Sequence, residues 1–391
     1  MVIFLLTFFV IYGGMHLYLF ARIKKAIPFG AGTGIFLTIF FIVMILAPIA
    51  VRFLERHGME TAARFMSYTG YIWMGMIFLF LIVSLILDLY RLAVYAGHFA
   101  FPGGFSRVNP SPWLMLILPV VISLGANAYG YMEAKNPRIE KITMEHAIIP
   151  EDIGKIRIVQ ISDVHIGVMI REKRLEKIVN EIKKADPDIL VSTGDLLDGQ
   201  MNNLVEPMML LKSIQPRYGK FAVTGNHEFY AGLHESIAFM QDSGFSVLRG
   251  QGTTVAGRIN IIGMDDPTGL RMGLSRDVAE GQILSLFPRE NFTLLLKHQP
   301  VVDVTALGRF DLQLSGHTHK GQIFPFSLIT RLYFPNHSGH FMLPKQSRLY
   351  VNRGTGTWGP PIRFLAPAEI TVIDLVHKKT GTQPKVEERA S

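Results

Sequence analysis

Two kinds of apolar patterning divide this chain. The first third carries four apolar runs, near residues 2–21, 29–51, 68–90 and 112–132. Each is long enough for a helix that crosses a bilayer, which takes about 20 residues. From about residue 137 the runs become short: Ile156–Ile161, Ile189–Ser192, Phe221–Thr224, Ile259–Ile262, Phe292–Leu296 and Leu312–Leu314. They are nearly continuous stretches of Val, Ile, Leu and Phe, which predicts strands covered on both faces. Between the first two, Leu175, Ile178, Val179 and Ile182 recur at helical spacing within Glu172–Lys184, with Lys and Glu on the opposite face. Asp186-Pro187-Asp188 stops that helix. Further helices are predicted over about 204–214 and 234–242. Strand, helix and strand in succession is the grammar of an α/β domain. The expected organisation is a multi-pass membrane region over 1–136, an α/β domain over 137–380 and a polar tail over 381–391.

Composition sharpens this division. The chain is 49% hydrophobic, with a mean hydropathy of +0.28. Only nine of its 39 Lys and Arg, and four of its 31 Asp and Glu, fall within residues 1–135. The net charge of +8 invites a nucleic-acid reading, but most of the excess belongs to the membrane part. No Lys/Arg stripe with interleaved aromatics is present, so no nucleic-acid binding is expected. The basic loops suit anionic lipid instead. The absence of cysteine excludes disulfides, zinc knuckles and a cysteine nucleophile. Arg22, Lys24 and Lys25 follow the first apolar run, which favours a retained helix with its N-terminus outside. Four crossings then return the chain to the outside, so the globular part is expected to be extracytoplasmic on the cell membrane. Arg52, Arg56, Arg64, Lys135, Arg138 and Lys141 pull the other way. Residues 92–111, which include Phe99, Phe101 and Phe105, read as an interfacial loop.

Five polar blocks interrupt the globular part, each just after an apolar run. They are Asp163-Val164-His165, Gly194-Asp195-Leu196-Leu197-Asp198, Gly225-Asn226-His227-Glu228, Lys297-His298-Gln299 and Gly316-His317-Thr318-His319. In open α/β sheets functional groups gather beyond the carboxyl ends of strands. The spacing therefore predicts that these distant blocks meet at one rim of a sheet. Carboxylate, imidazole and amide groups together suit a site for Mn²⁺, Fe or Zn²⁺ better than one for Ca²⁺.

The same blocks, in the same order, resemble the calcineurin-like metallophosphoesterases, in particular their membrane-attached branch. Ile161-Ser162-Asp163-Val164-His165-Ile166-Gly167 and the late Asn352-Arg353-Gly354-Thr355-Gly356-Thr357 carry the closer likeness. The resemblance implies layered β-sheets flanked by helices and two divalent metal ions (Mn, Fe or Zn). It places Asp163, His165 and His319 on one ion and Asn226, His298 and His317 on the other, with Asp195 bridging. It also implies a hydroxide held between the ions that attacks phosphorus in line, with His227 as the catalytic general acid or hydrogen-bond donor to the phosphate. Glu228 or Asp198 is then expected to hold such imidazoles in one tautomer, with a helix cap as the other reading of Asp198. Arg353, flanked by glycine, is a candidate for binding substrate phosphate or a residue of a tight turn.

The expected function is a membrane-bound metal-dependent phosphoesterase acting on a phosphate ester or pyrophosphate. Its partners would be membrane lipid and a phosphorylated small-molecule or lipid substrate. The alternative is a non-catalytic metal-binding scaffold or receptor with the same fold. The stretch Phe324–Tyr333 is unusually apolar for a loop and reads either as core packing or as a surface that touches lipid.

Overall fold

The computed structural model describes residues 2–100, 109–147, 149, 154–199 and 202–378. The polar tail 381–391 and the loop aromatics Phe101 and Phe105 lie outside these described residues. The chain forms two compact units.

The first unit is built from four helices: α1 (Val2–Ala26), α2 (Ala31–Arg56), α3 (Glu60–Ala100) and α4 (Pro112–Lys135). All four contain stretches long and apolar enough to cross a membrane. Pro28 separates α1 from α2, and α4 begins with Pro112 behind Ser111, whose Oγ accepts the Leu114 N–H. Helix α3 runs past residue 90, where the sequence suggested a loop. No Gly or Pro lies between Gly75 and Gly97, so nothing interrupts its hydrogen-bond ladder. His16 sits buried among Tyr12, Phe41 and Trp73. Its Nδ1 meets the Tyr12 carbonyl at 2.7 Å, and its Nε2 accepts the Trp73 indole N–H at 2.9 Å. Both ring nitrogens are thus satisfied, as apolar surroundings require.

Two stretches from later in the chain, Gln322–Phe326 and Thr357–Pro367, cluster with these helices. Ile323 and Ile362 pack on Leu79, and Phe364 joins them beside Phe78 and Tyr131. Gly130 makes the approach possible: a Cβ there would crowd the Arg363 carbonyl and Ile362. Arg363 in turn donates its backbone N–H to the Gly130 carbonyl at 2.8 Å.

The second unit is a sandwich of two six-stranded sheets. The first runs β1 (Arg138–His146), β12 (Glu369–His377), β2 (Lys155–Ile161), β3 (Ile189–Ser192), β4 (Lys220–Ala222) and β5 (Phe245–Val247). The second runs β10 (Gly339–Met342), β11 (Arg348–Val351), β9 (Leu312–Ser315), β8 (Phe292–Leu296), β7 (Ile259–Gly263) and β6 (Gln251–Val255). Strands β2 through β5 are parallel, as are β7, β8, β9 and β11. Between the sheets, Ile156, Ile158, Ile189, Val191 and Phe221 face Ile259, Ile261, Phe292, Leu294 and Leu312 in one buried cluster. This explains why the strands read as unbroken apolar runs. Their other faces are covered by helices, chiefly α5 (Glu172–Ala185), α6 (Val205–Lys212) and α8 (Leu233–Asp242) on the first sheet. Helix α5 buries Leu175, Ile178, Val179 and Ile182, and ends at Asp186 in the left-handed region (φ 51°). The remaining helices are α7 (Asn226–Ala231), α9 (Pro267–Arg271), α10 (Glu280–Leu284) and α11 (Phe326–Tyr333).

The two sheets are the layered sheets that the resemblance implied, and the polar blocks come from both of them. Asp163, Asp195 and Asn226 follow β2, β3 and β4 of the first, whereas His298, His317 and His319 follow β8 and β9 of the second. Leu175 is wholly buried under the first sheet. Leu175→Ala is therefore expected to cost about 2–5 kcal/mol. Thermal unfolding of the purified chain should show a lowered midpoint for this variant, while Lys177→Ala on the exposed face of α5 leaves it unchanged.

Candidate metal centre

Five residues of the polar blocks hold a backbone conformation that side chains with a Cβ avoid. Asp163 (φ 52°), His165 (φ 55°), Asp195 (φ 50°), His317 (φ 70°) and His319 (φ 49°) all lie in the left-handed region. Each such residue costs of order 1–3 kcal/mol and persists only where its surroundings over-determine it. Here the surroundings are backbone pairs that extend the sheets past their strand ends. Asp163 N–H meets the Gly194 carbonyl at 3.0 Å, His165 N–H the Asp195 carbonyl at 3.0 Å, and Gly316 N–H the His298 carbonyl at 2.8 Å. The motif glycines leave room for the carboxylates. A Cβ on Gly225 would strike Asp195 Oδ1, and one on Gly316 would strike Ser162 Oγ and Asp163 Oδ2.

These loops bring two clusters of ligand-type atoms together. In the first, His165 Nε2 and His319 Nε2 face each other at 3.2 Å, with Asp163 Oδ1 3.3 Å from His319 Nε2. In the second, His298 Nε2 faces His317 Nδ1 at 3.1 Å, with Asp195 Oδ2 3.2 Å from His298 Nε2. The same Asp195 oxygen is 3.9 Å from His165 Nε2, so it stands between the clusters. His298 Nδ1 lies 2.8 Å from the Thr193 carbonyl. Donation to that carbonyl leaves Nε2 as the ring nitrogen turned toward Asp195. The buried Oδ1 of Asn226 has no hydrogen-bond partner among the described residues.

Electrostatics point the same way. Asp163 and Asp195 are buried, and an unpaired buried carboxylate is costly. Burial alone would raise Asp163, but His319 and His298 outweigh it and hold the carboxyl well below the usual carboxylate range. Burial, then the neighbouring His227, pulls His165 down to about 3. Burial, then His298, pulls His317 down to about 4. These two imidazoles are therefore neutral electron-pair donors at pH 7. Burial opposes a charge on His298 and His227 as well, but Asp195 overrides it: His298 rises well above its ordinary value and His227 rises to about 9. Two neutral imidazoles, two buried carboxylates and an amide oxygen without a donor fit divalent cations.

His227 stands beside this centre. Its ring centroid is 4.6 Å from that of His165, and its backbone N–H donates to Asp195 Oδ1 at 2.8 Å. Its Nδ1 lies 2.6 Å from the Asp198 carbonyl and 3.3 Å from that residue's carboxylate. The Asp198 carboxylate is also 3.7 Å from His165 Nδ1. Glu228 does something other than expected. It touches no imidazole; its carboxylate accepts the backbone N–H groups of Asp195 (2.9 Å), Leu197 (3.1 Å) and Gly225 (2.6 Å). It thereby fixes two of the loops to each other. Arg353 is also placed differently from a phosphate binder. Its guanidinium pairs with Glu140 and, at 2.8 Å, with Glu369, so two carboxylates already neutralise it. The working part of its motif is the next pair. Thr355 N–H donates to the Ser162 carbonyl at 2.7 Å, and Gly356 N–H to the Asp163 carbonyl at 3.0 Å. These contacts clamp the loop that carries Asp163 and His165. A glycine-rich run was the only local signal for this role.

Metal analysis of the purified protein gives the direct check. Asp195→Asn is expected to reduce content from two ions per chain to one or none. Gly316→Ala pushes on Asp163 without removing a ligand, and is expected to weaken metal affinity by roughly 10- to 100-fold.

Comparison with known proteins identifies a family. The sequence profile of the calcineurin-like phosphoesterase family matches residues 156–321. An uncharacterized metallophosphoesterase of Aquifex aeolicus is 38% identical over 260 residues, spanning 66% of this chain and 98% of the relative. One from Campylobacter jejuni is 35% identical over 248 residues, spanning 63% of this chain and 65% of the relative. A zebrafish (Danio rerio) "transmembrane protein with metallophosphoesterase domain" is 31% identical over 275 residues, spanning 66% of this chain and 62% of the relative. With five ordered blocks gathered at one rim and a near-full-length relative aligned to them, this chain belongs to the calcineurin-like metallophosphoesterases.

Proposed function

We propose that this protein is a membrane-bound, metal-dependent phosphoesterase whose substrate is amphiphilic: a phosphate ester or pyrophosphate carried on a lipid. The observation that carries the hydrolase reading is the shared position of Asp195 Oδ2 between the imidazoles of two clusters. Asp163, His165 and His319 would hold one divalent ion, and Asn226, His298 and His317 the other, with Asp195 common to both. When bound, such ions activate water and neutralise phosphate oxygens.

The chain's own residues supply the remainder. His227 is oriented by the Asp198 carbonyl, which leaves its Nε2 as the nitrogen available to a leaving oxygen or a phosphate oxygen. Glu228, Thr355 and Gly356 hold the loops rigid, so the donors need no rearrangement when charge builds on the phosphate. No serine or cysteine nucleophile is required.

The lipid part of the reading rests on α11. None of its residues is buried; Leu328, Leu332 and Tyr333 are 59%, 82% and 79% exposed. The residue after it, Phe334, puts its ring 5.4 Å from that of His317. At its start, Phe326 contacts Phe78 of α3, a helix apolar enough to cross a membrane. An exposed apolar helix that leads to a ring beside His317 suits a substrate with an acyl tail and a phosphate head. Arg22, Lys24 and Lys25 at the end of α1 support an extracytoplasmic phosphoesterase domain.

Two measurements test the proposal. Full-length protein with Mn²⁺ is expected to hydrolyse a soluble aryl phosphoester. His227→Ala should keep its metal while kcat falls by roughly 10²–10⁴. Metal without turnover in the wild type would instead favour the scaffold alternative. Separately, Leu328→Ser/Leu332→Ser should raise KM for a long-chain lipid phosphate in mixed micelles and leave the soluble substrate unaffected. Equal effects on both substrates would remove the lipid assignment.

A further inference from the structure

The end of α1, the start of α4 and Arg91 of α3, nine residues before that helix ends, surround a cavity of about 180 Å³ lined by Arg22, Lys25, Arg91, Asn109, Pro110 and Pro112. Three of these six residues are cations. One is already balanced: Arg22 pairs with Asp88 of α3 at 2.5 Å. The Tyr18 hydroxyl donates to the other Asp88 oxygen at 2.6 Å and accepts from Arg22 Nε at 3.0 Å. This trio fastens α1 to α3 and fixes the Arg22 side chain, which is only 10% exposed. Arg91, one turn beyond Asp88, donates to Asn109 Oδ1 at 3.3 Å just before α4. Lys25 lies one turn beyond Arg22 and is exposed. Neither Lys25 nor Arg91 has a carboxylate within ion-pair distance among the described residues.

Lys25 and Arg91, neither of them in an ion pair among the described residues, therefore face one cavity, which lies at the end of α1 and the start of α4. With Arg22 they outnumber the one carboxylate beside them, Asp88, and an anion in the cavity offsets the excess. Helix ends are also the level at which lipid headgroups sit, and basic pockets between membrane helices suit anionic headgroups. Arginine favours phosphate because its planar fork matches two phosphate oxygens at once. We infer that this cavity is a phosphate-binding site of the membrane helices, separate from the metal centre, and that its ligand is the headgroup phosphate of an anionic lipid or a free phosphate of the same chemistry. The ligand would tie α1, α3 and the start of α4 together at one face of the helices. The inference does not depend on the phosphoesterase activity, because none of the residues lining the cavity belongs to the metal centre.

The test uses full-length protein in neutral detergent. Its thermal midpoint is followed against phosphatidylglycerol, phosphatidylcholine with the same acyl chains, or inorganic phosphate. Phosphatidylglycerol is expected to bind more tightly than phosphatidylcholine, with salt weakening the preference. Lys25→Gln/Arg91→Gln should weaken phosphatidylglycerol by roughly tenfold or more. Lys24→Gln, which lies outside the cavity, should change nothing. If inorganic phosphate stabilises as well as phosphatidylglycerol, and the double variant loses both effects, the ligand is free phosphate. Equal binding of the two lipids overturns the site if phosphate has no effect. So does a preference that survives in the double variant, or one that Lys24→Gln reduces equally.

Discussion

Two buried carboxylates, Asp163 and Asp195, set the terms for the rest of the phosphoesterase unit. They carry negative charge in a buried place, and beyond the Ser162 hydroxyl and the backbone amides they accept from, imidazoles stand 3.2 and 3.3 Å away. Such charge has to be matched, and single imidazole protons match it poorly when the imidazoles also crowd each other at 3.1–3.2 Å. Divalent cations resolve both problems, since each offers charge to a carboxylate and an empty orbital to a nitrogen lone pair. The strained backbone follows from this arrangement. Five ligand-type residues sit at positive φ because only that conformation turns their side chains inward at the rim. What holds them there is not the ligand set itself: carbonyls, backbone amides, glycine Cα atoms and the carboxylate of Glu228.

The sandwich supplies the rigidity. Three of the polar blocks hang from one sheet and two from the other, and the apolar layer between the sheets fixes their separation. A shift in that layer would move one half of the centre relative to the other. This gives the wholly apolar strands a functional meaning: they set distances between atoms that lie beyond their ends. Among the apolar helices, His16 is satisfied by Tyr12 and Trp73, and Arg22 by Asp88.

Much of this was legible in the chain itself, and the failures share a cause. Strands β2, β3, β7, β8 and β9 and helix α5 announced themselves through local periodicity. The polar blocks announced themselves by standing at strand ends. Long-range pairing left no such trace. Strand β1 pairs with β12, more than 200 residues later, so neither looked like a strand in its own neighbourhood. The division into two sheets left no local trace either, and only the family resemblance carried it. Arg353 looked available because its partners, Glu140 and Glu369, are distant in sequence. Glu228 looked like a partner for histidine because the three amides it accepts carry no side-chain signal. Nothing local marks the segment around Ile362 and Arg363, and only packing on Gly130 and Leu79 assigns it to the helices.

The central claim is that Asp195 is shared by two ions. Electron paramagnetic resonance of the protein loaded with two equivalents of Mn²⁺ tests it most directly, because ions joined through a common ligand couple magnetically and isolated ions do not. A coupled dimanganese spectrum that collapses to an isolated-ion signal in Asp195→Asn is the expected result. Isolated-ion signals alone in the wild type at full loading would contradict the account.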